Sequence, residues 1–139
     1  MENRIVFDTN IWISYIIAAR YDELELMVTN NLFLLRSAPS LNELQEVLTR
    51  KKFQKYNIDI DKTIMFYTNL TEFCKTEPLF NACLDPEDSF LFDLAIQGNA
   101  HYLVSGDKKV LETPLENKTL KLTSLMVFKE MVNKIDFLV

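Results

Sequence analysis

Four carboxylates carry the chemistry this sequence could perform: Asp8, Glu43, Asp88 and Asp107. Asp8 closes "IVFD", where three β-favouring apolar residues run directly into an acid, and "TN" follows at once. An ionised carboxylate beside a core is costly unless something neutralises it. Asp107 stands just past "HYLVSG", Glu43 near the start of "SLNELQEVL", and Asp88 inside "DPEDSFLFD". Carboxylates gathered at one point repel, and at least one keeps its proton unless a cation sits among them. Oxygen-only donors with water completing the shell suit Mg²⁺ or Mn²⁺ rather than zinc. Such an ion activates water and stabilises charge on a phosphoryl oxygen, so the chemistry implied is phosphodiester hydrolysis.

Each acid alone has a plainer reading. Asp8 or Thr9 can cap the helix that follows. In "DPED", Asp85 can cap, Pro86 suits a first helical position, and Glu87 and Asp88 favour the positive end of the helix dipole. Asp107 before "KKVL" reads as a cap or turn residue, and Glu43 as an ordinary acid of a first helical turn. Caps explain acids at helix starts, but not why four of them should share one edge of a sheet.

The elements decide whether they do. Arg4 to Phe7 reads as a strand and Thr9 to Ala19 as a helix apolar nearly all round; "YDELELMVTN" adds a helical turn or two. "LFLL" is a second strand, followed by "SAPSLNELQEVLTRKK", whose Leu41, Leu44, Val47 and Leu48 recur at helical spacing. Ile60, Ile64 and Tyr67 mark a helix ending near Asn69, and "DPEDSFLFDLAIQG" one ending at Gly98. "HYLV" is a strand, Thr119 to Leu122 a last strand, and Ser124 to Asn133 a closing helix. The order βα(α)βααβαβα predicts one α/β domain over residues 1–139 with a mostly parallel sheet. In such a sheet functional groups gather at the carboxyl ends of the strands, and all four acids fall on that edge.

Composition narrows the class. At 139 residues, 48% hydrophobic and 25% charged, the chain is that of a soluble globular domain. Cys74 and Cys83 have no histidine near enough for a zinc pattern and read as reduced thiols, which fits a cytoplasmic protein. The run Ile11 to Ala19 is far short of a membrane span, and Asp8 and Asn10 spoil it as a signal peptide. Gly98 and Gly106 are the only two glycines. Neither a phosphate-binding P-loop nor a dinucleotide fingerprint can be written with them. The net charge of −5 argues against an extended nucleic-acid surface without excluding a local one.

Taken in order, "VFDTNIWIS", "SLNELQEVL", "DPEDSFLFDLAIQGNAHYLVSGDKKVL" and "LKLTSLMVF" resemble the motifs of PIN-domain nucleases. The likeness is closest to the VapC-like toxins of type II toxin–antitoxin modules and runs nearly end to end. It implies a three-layer α/β/α fold, Mg²⁺- or Mn²⁺-dependent cleavage of RNA, frequent homodimers, and inhibition by a small antitoxin. The family's acidic metal-binding positions fall on Asp8, Glu43, Asp88 and Asp107. Asn10 matches a frequent polar position after the first acid and Ser105 one usually held by Thr or Ser; both would orient the carboxylates. Asp93 stands where many relatives carry a small residue.

Other features carry weaker readings. His101, the only histidine, opens a strand and reads as structural. "RKKFQK" (Arg50 to Lys55) reads either as a solvated helix end favoured by the dipole or as a contact to RNA phosphates. Lys108 and Lys109, just past the last acid, are better placed to meet a phosphate backbone. The helix "IWISYIIAA" is too apolar for a single buried face, which predicts an interface as well as a core. Two other α/β classes fit poorly. A phosphotransfer receiver needs paired acids near its first strand and a phosphoacceptor Asp ending a middle one. A haloacid-dehalogenase-like phosphatase needs Asp where Asn10 stands. A catalytically silent binding module with the nuclease fold is the remaining alternative.

Overall fold

Strand β1 (Asn3–Phe7) occupies the centre of the sheet because both its faces are apolar: Ile5 and Phe7 enter one core and Val6 the other. The computed structural model describes residues 3–117 and 119–135. After β1 come α1 (Thr9–Ile17), α2 (Tyr21–Thr29), β2 (Leu32–Arg36), α3 (Ala38–Leu48), a 3₁₀ turn (Lys51–Tyr56), α4 (Ile60–Leu70) and β3 (Glu72–Phe73). The second half runs through a short 3₁₀ turn (Pro86–Asp88), α5 (Ser89–Gln97), β4 (Tyr102–Val104), α6 (Lys108–Leu111), β5 (Lys121–Thr123) and α7 (Leu125–Ile135). The strands are all parallel, in the order β3-β2-β1-β4-β5.

That order fixes the layers. From β1 the chain steps outward through β2 to β3, then crosses back to β4 and β5 on the other side. Right-handed crossovers therefore place the two sets of helices on opposite faces. One core joins Ile5, Phe7, Leu32 and Leu34 to Trp12, Leu24, Leu44, Tyr67 and Phe128, drawn from α1 to α4 and α7. The other joins Val6, Leu35 and Leu103 to Leu91, Phe92, Leu94 and Ala95 of α5 and to Val110 of α6. The fold is the three-layer α/β/α arrangement expected, with a fully parallel sheet.

Several expectations needed adjustment. β3 was absent from the pattern because it is two exposed residues long; it is held by pairing with Leu35 and Arg36. Arg36 donates to the carbonyls of Thr68 and Thr71 at 2.9 and 2.7 Å, which ties the end of α4 to β2. The apolar excess of α1 is mostly consumed internally. This helix packs on β1, α2 and α3, and Ile13 is only 4% exposed, which leaves Ile17 as its partly exposed large apolar residue. Helix α3 stops at Leu48 rather than running into the lysines. At the end of α5, Asn99 rather than Gly98 takes the left-handed conformation, at φ 55°. Gly98 meets a different need: a Cβ there would stand 2.9 Å from Leu35 Cδ1. Among the described residues no helix is long and apolar enough to cross a membrane.

Candidate active site

The chain direction along the sheet reverses between β1 and β4, and a crevice opens there at the carboxyl ends of parallel strands. Phe7 pairs with Val104, so Asp8 and Ser105 leave the sheet side by side. The Asp8 amide donates to Val104 O at 2.9 Å. Phe7 itself is pinned by Trp12, Tyr15 and Phe128, whose ring centroids lie 5.6 to 6.1 Å away. The backbone that carries Asp8 is therefore held by an aromatic cluster.

Asp8 is 7% exposed and accepts a hydrogen bond at Oδ2 from Ser105 Oγ at 2.7 Å. Ser105 Oγ in turn accepts from the Asp107 amide at 3.0 Å. This relay fixes the serine rotor, so its proton is directed at Asp8. Burial pushes the Asp8 carboxyl above its ordinary value and Asp107 adds to the push, against the Ser105 hydrogen bond and the amides of Thr9 and Asn10. The Asp8 side chain nevertheless makes no capping hydrogen bond to α1. The simple capping reading of Asp8 therefore fails. Asp107 does cap: its Oδ1 accepts from the Lys109 amide at 2.9 Å.

Asp88 sits where the 3₁₀ turn passes into α5 and makes no capping bond either. Asp85 takes that role, its Oδ1 accepting from the Glu87 amide at 3.0 Å. Asp88 Oδ2 is buried without a hydrogen-bond partner. Its carboxyl is pushed up to about 6 by desolvation, reinforced by Asp8, Asp85, Asp107 and Glu43. Five residues on, Asp93 lies apart from this cluster, 5% exposed; its Oδ1 accepts from the amides of Leu79 and Phe80 at 3.0 and 2.8 Å and from Gln97 at 3.3 Å.

Glu43 reaches the crevice from α3, whose start is fixed by a reciprocal capping box. Ser37 and Ser40 exchange side-chain-to-amide hydrogen bonds, and Ser40 Oγ lies 3.1 Å from Tyr67 OH. Desolvation pushes Glu43 up, with Glu46, Asp8 and Glu87 adding to it and Arg50 opposing. Arg50 is the basic residue facing this rim, and it is engaged by Glu46 at 3.2 and 2.8 Å. Glu46 was not singled out in the sequence, and Glu87 and Arg50 were read only as a helix-start acid and as part of a basic run. The spacing of Glu43, Glu46 and Arg50, three and then four residues apart, was the available signal.

Asp8, Glu43, Asp88 and Asp107 thus act on one another electrostatically. They do not close into a cage: among the described residues no three His, Cys, Asp or Glu side chains are arranged to hold a metal ion. The donor set nevertheless fits a hard cation, since every donor is a carboxylate and one buried oxygen lacks a partner. Mg²⁺ usually keeps several waters and takes one or two carboxylates directly, which needs no cage. Asn10 is exposed, and its effect on Asp8 comes through its amide. Lys108 and Lys109 are exposed at the start of α6, beside Asp107. His101 is structural as expected, its Nδ1 accepting from the Arg4 amide at 3.0 Å.

Comparison with known proteins agrees with this fold. The family described as PIN domain matches residues 4–109. The fold is similar to that of VapBC2 from Rickettsia felis, a structure bound to a DNA fragment from its promoter, at 21% identity and TM-score 0.58, covering 87% of this chain and 98% of that one. It is also similar to PAE2754 from Pyrobaculum aerophilum, at 12% identity and TM-score 0.60, covering 96% and 90%. No curated protein sequence gives a significant match.

Proposed function

The chain belongs to the PIN-domain family, and from that premise we propose that it is a Mg²⁺- or Mn²⁺-dependent endoribonuclease, with residues 1–139 forming one nuclease domain. The observation that carries this reading is Asp88 Oδ2, buried without a partner among carboxylates that all repel it. A group so placed calls for a proton or a cation. Asp8, Glu43, Asp88 and Asp107 would hold the ion. When bound, it would neutralise charge on the scissile phosphate and supply a more acidic water.

The chain's own groups do the positioning. Ser105 holds the Asp8 carboxylate in one orientation, and the Asp107 amide holds Ser105. The Ser37–Ser40 box sets where α3 begins and hence where Glu43 stands. Asp85 relieves Asp88 of capping, which leaves the Asp88 carboxylate free for the crevice. Lys108 and Lys109 stand where a phosphate backbone would pass. The biological partner in this reading is a small antitoxin, the chain being the toxin of a type II pair in the cytoplasm and forming a homodimer.

Purified protein should cut single-stranded RNA with Mg²⁺ or Mn²⁺ and lose that activity in EDTA. Cleavage surviving rigorous chelation would rule out the metal mechanism. Failure to cut RNA at any metal concentration would support a catalytically silent binding module instead.

A further inference from the structure

Lys51, Lys52, Lys55 and Tyr56 belong to the 3₁₀ turn that follows α3. The dipole explanation for their charge does not hold: α3 ends at Leu48 with no basic residue in its last turn. From Val47 to Ile58 the chain contains no acid, in a protein of net charge −5. All three lysines are exposed, and among the described residues none lies within ion-pair distance of a carboxylate. Lys52 Nζ stands 5.1 Å from the Phe53 ring centroid and Lys55 Nζ 5.2 Å from that of Tyr56. Phe53 packs against the core and anchors the turn. Tyr56 remains 43% exposed. With Tyr21 and Phe66 it lines a cavity of about 420 Å³, which has room for a nucleobase.

The turn is continuous with the acidic crevice. Arg50, which opens it, bonds Glu46 and acts electrostatically on Glu43 and Glu87. It lies seven residues past Glu43 and two beyond the end of α3. A strand leaving the crevice along this face of α3 would meet lysines first and then an aromatic ring. Basic side chains that track phosphates, interleaved with a ring on which a base can stack, are the means by which single strands are held with little regard to sequence.

Resting on the nuclease reading above, we infer that the Arg50–Tyr56 turn is the positioning surface for the RNA strand that flanks the cleaved bond. Lys51, Lys52 and Lys55 contact its phosphates, and the Tyr56 ring stacks on an unpaired base. The surface acts on affinity and register, not on the chemical step.

Binding of a short labelled single-stranded RNA of mixed sequence, measured in EDTA over a salt series, tests this independently of cleavage. The triple variant Lys51→Ala, Lys52→Ala, Lys55→Ala should bind more weakly and reduce the slope of log K against log salt by about 2. Tyr56→Ala should weaken binding about tenfold with the slope unchanged, and Tyr56→Phe should restore it. Melting temperatures identify any variant that has lost its fold, and Lys75→Ala and Lys121→Ala provide basic controls elsewhere. Turn variants that bind as tightly as wild type with the same slope would overturn the inference and leave the turn to a protein partner. Binding that depends on the turn in a chain that cuts no RNA would count against the nuclease reading alone.

Discussion

Asp88 and Asp93 lie five residues apart in one segment and take opposite solutions to the same physical problem. Asp93 is buried and saturated: two backbone amides and a glutamine converge on one of its oxygens. Asp88 has a buried oxygen with no partner and neighbours that are themselves acids. A carboxylate supplied with donors serves as a staple, here fastening the segment at Leu79 and Phe80 to α5. A carboxylate denied donors stores a demand that a ligand can meet. The comparison teaches that burial alone does not distinguish the two acids; the presence or absence of donors does.

The strongest way to break this contrast is by isosteric exchange. Asp88→Asn should lower RNA cleavage by orders of magnitude while the fold persists, whereas Asp93→Asn should leave the rate within a few-fold of wild type. Cleavage rates on one substrate, with melting curves alongside, check both. Inversion of the pattern would mean that Asp93 is the working acid.

Truncation sharpens the other half. Asp93→Ala leaves the amides of Leu79 and Phe80 without their acceptor and should destabilise by about 3 kcal/mol, read by urea unfolding. Asp93→Asn retains an acceptor and should lose about 1 kcal/mol. If Asp93→Ala unfolds like wild type, the staple is not stabilising.

The pH dependence of stability bears on Asp88. The folded chain holds the Asp88 proton more tightly than the unfolded chain, about 6 against the ordinary 3.8. The unfolded state therefore releases its proton first as pH rises, and stability falls through that window, the penalty being complete above it. Asp8 and Glu43, also pushed up, act in the same direction. Metal-free wild type should melt at progressively lower temperature from about pH 4 to about pH 6. Asp88→Asn should flatten that fall and melt higher above it. An equal fall in both proteins would locate the repulsion elsewhere.

The smallest effect concerns the cap beside them. Asp85→Ala should cost about 1 kcal/mol with cleavage largely kept, and Asp85→Asn should be nearly silent, because Asn caps as well as Asp. Loss of cleavage in Asp85→Asn at full stability would give Asp85 a chemical role.

The contrast also bears on what the sequence could convey. Short apolar runs in "RIVF" and "LFLL", alternating with helical patterns and followed by acids or hydroxyls, were enough to predict a parallel sheet and an acidic edge. The capping role of Asp85 followed from where Pro86 starts the turn. Asp93 was legible only as lying off that edge, since its donors come from a loop without periodicity. β3 escaped because two exposed residues carry no pattern, and its position depends on Arg36 reaching Thr68 and Thr71. The uniform apolarity of α1 is mostly taken up inside the domain, which the sequence did not convey because period alone cannot count the neighbours a helix packs against. Arg50 looked like part of a basic run until its hydrogen bonds to Glu46 separated it from the lysines.

The most direct test of the distinction between a saturated and an unsaturated acid is a Mn²⁺ titration followed by the electron paramagnetic resonance signal of the free ion. Wild type and Asp93→Asn should bind Mn²⁺ with the same affinity, and Asp88→Asn should bind at least tenfold more weakly. Unchanged Mn²⁺ affinity in Asp88→Asn, or a loss confined to Asp93→Asn, would contradict the assignment of Asp88 as the acid that awaits a cation.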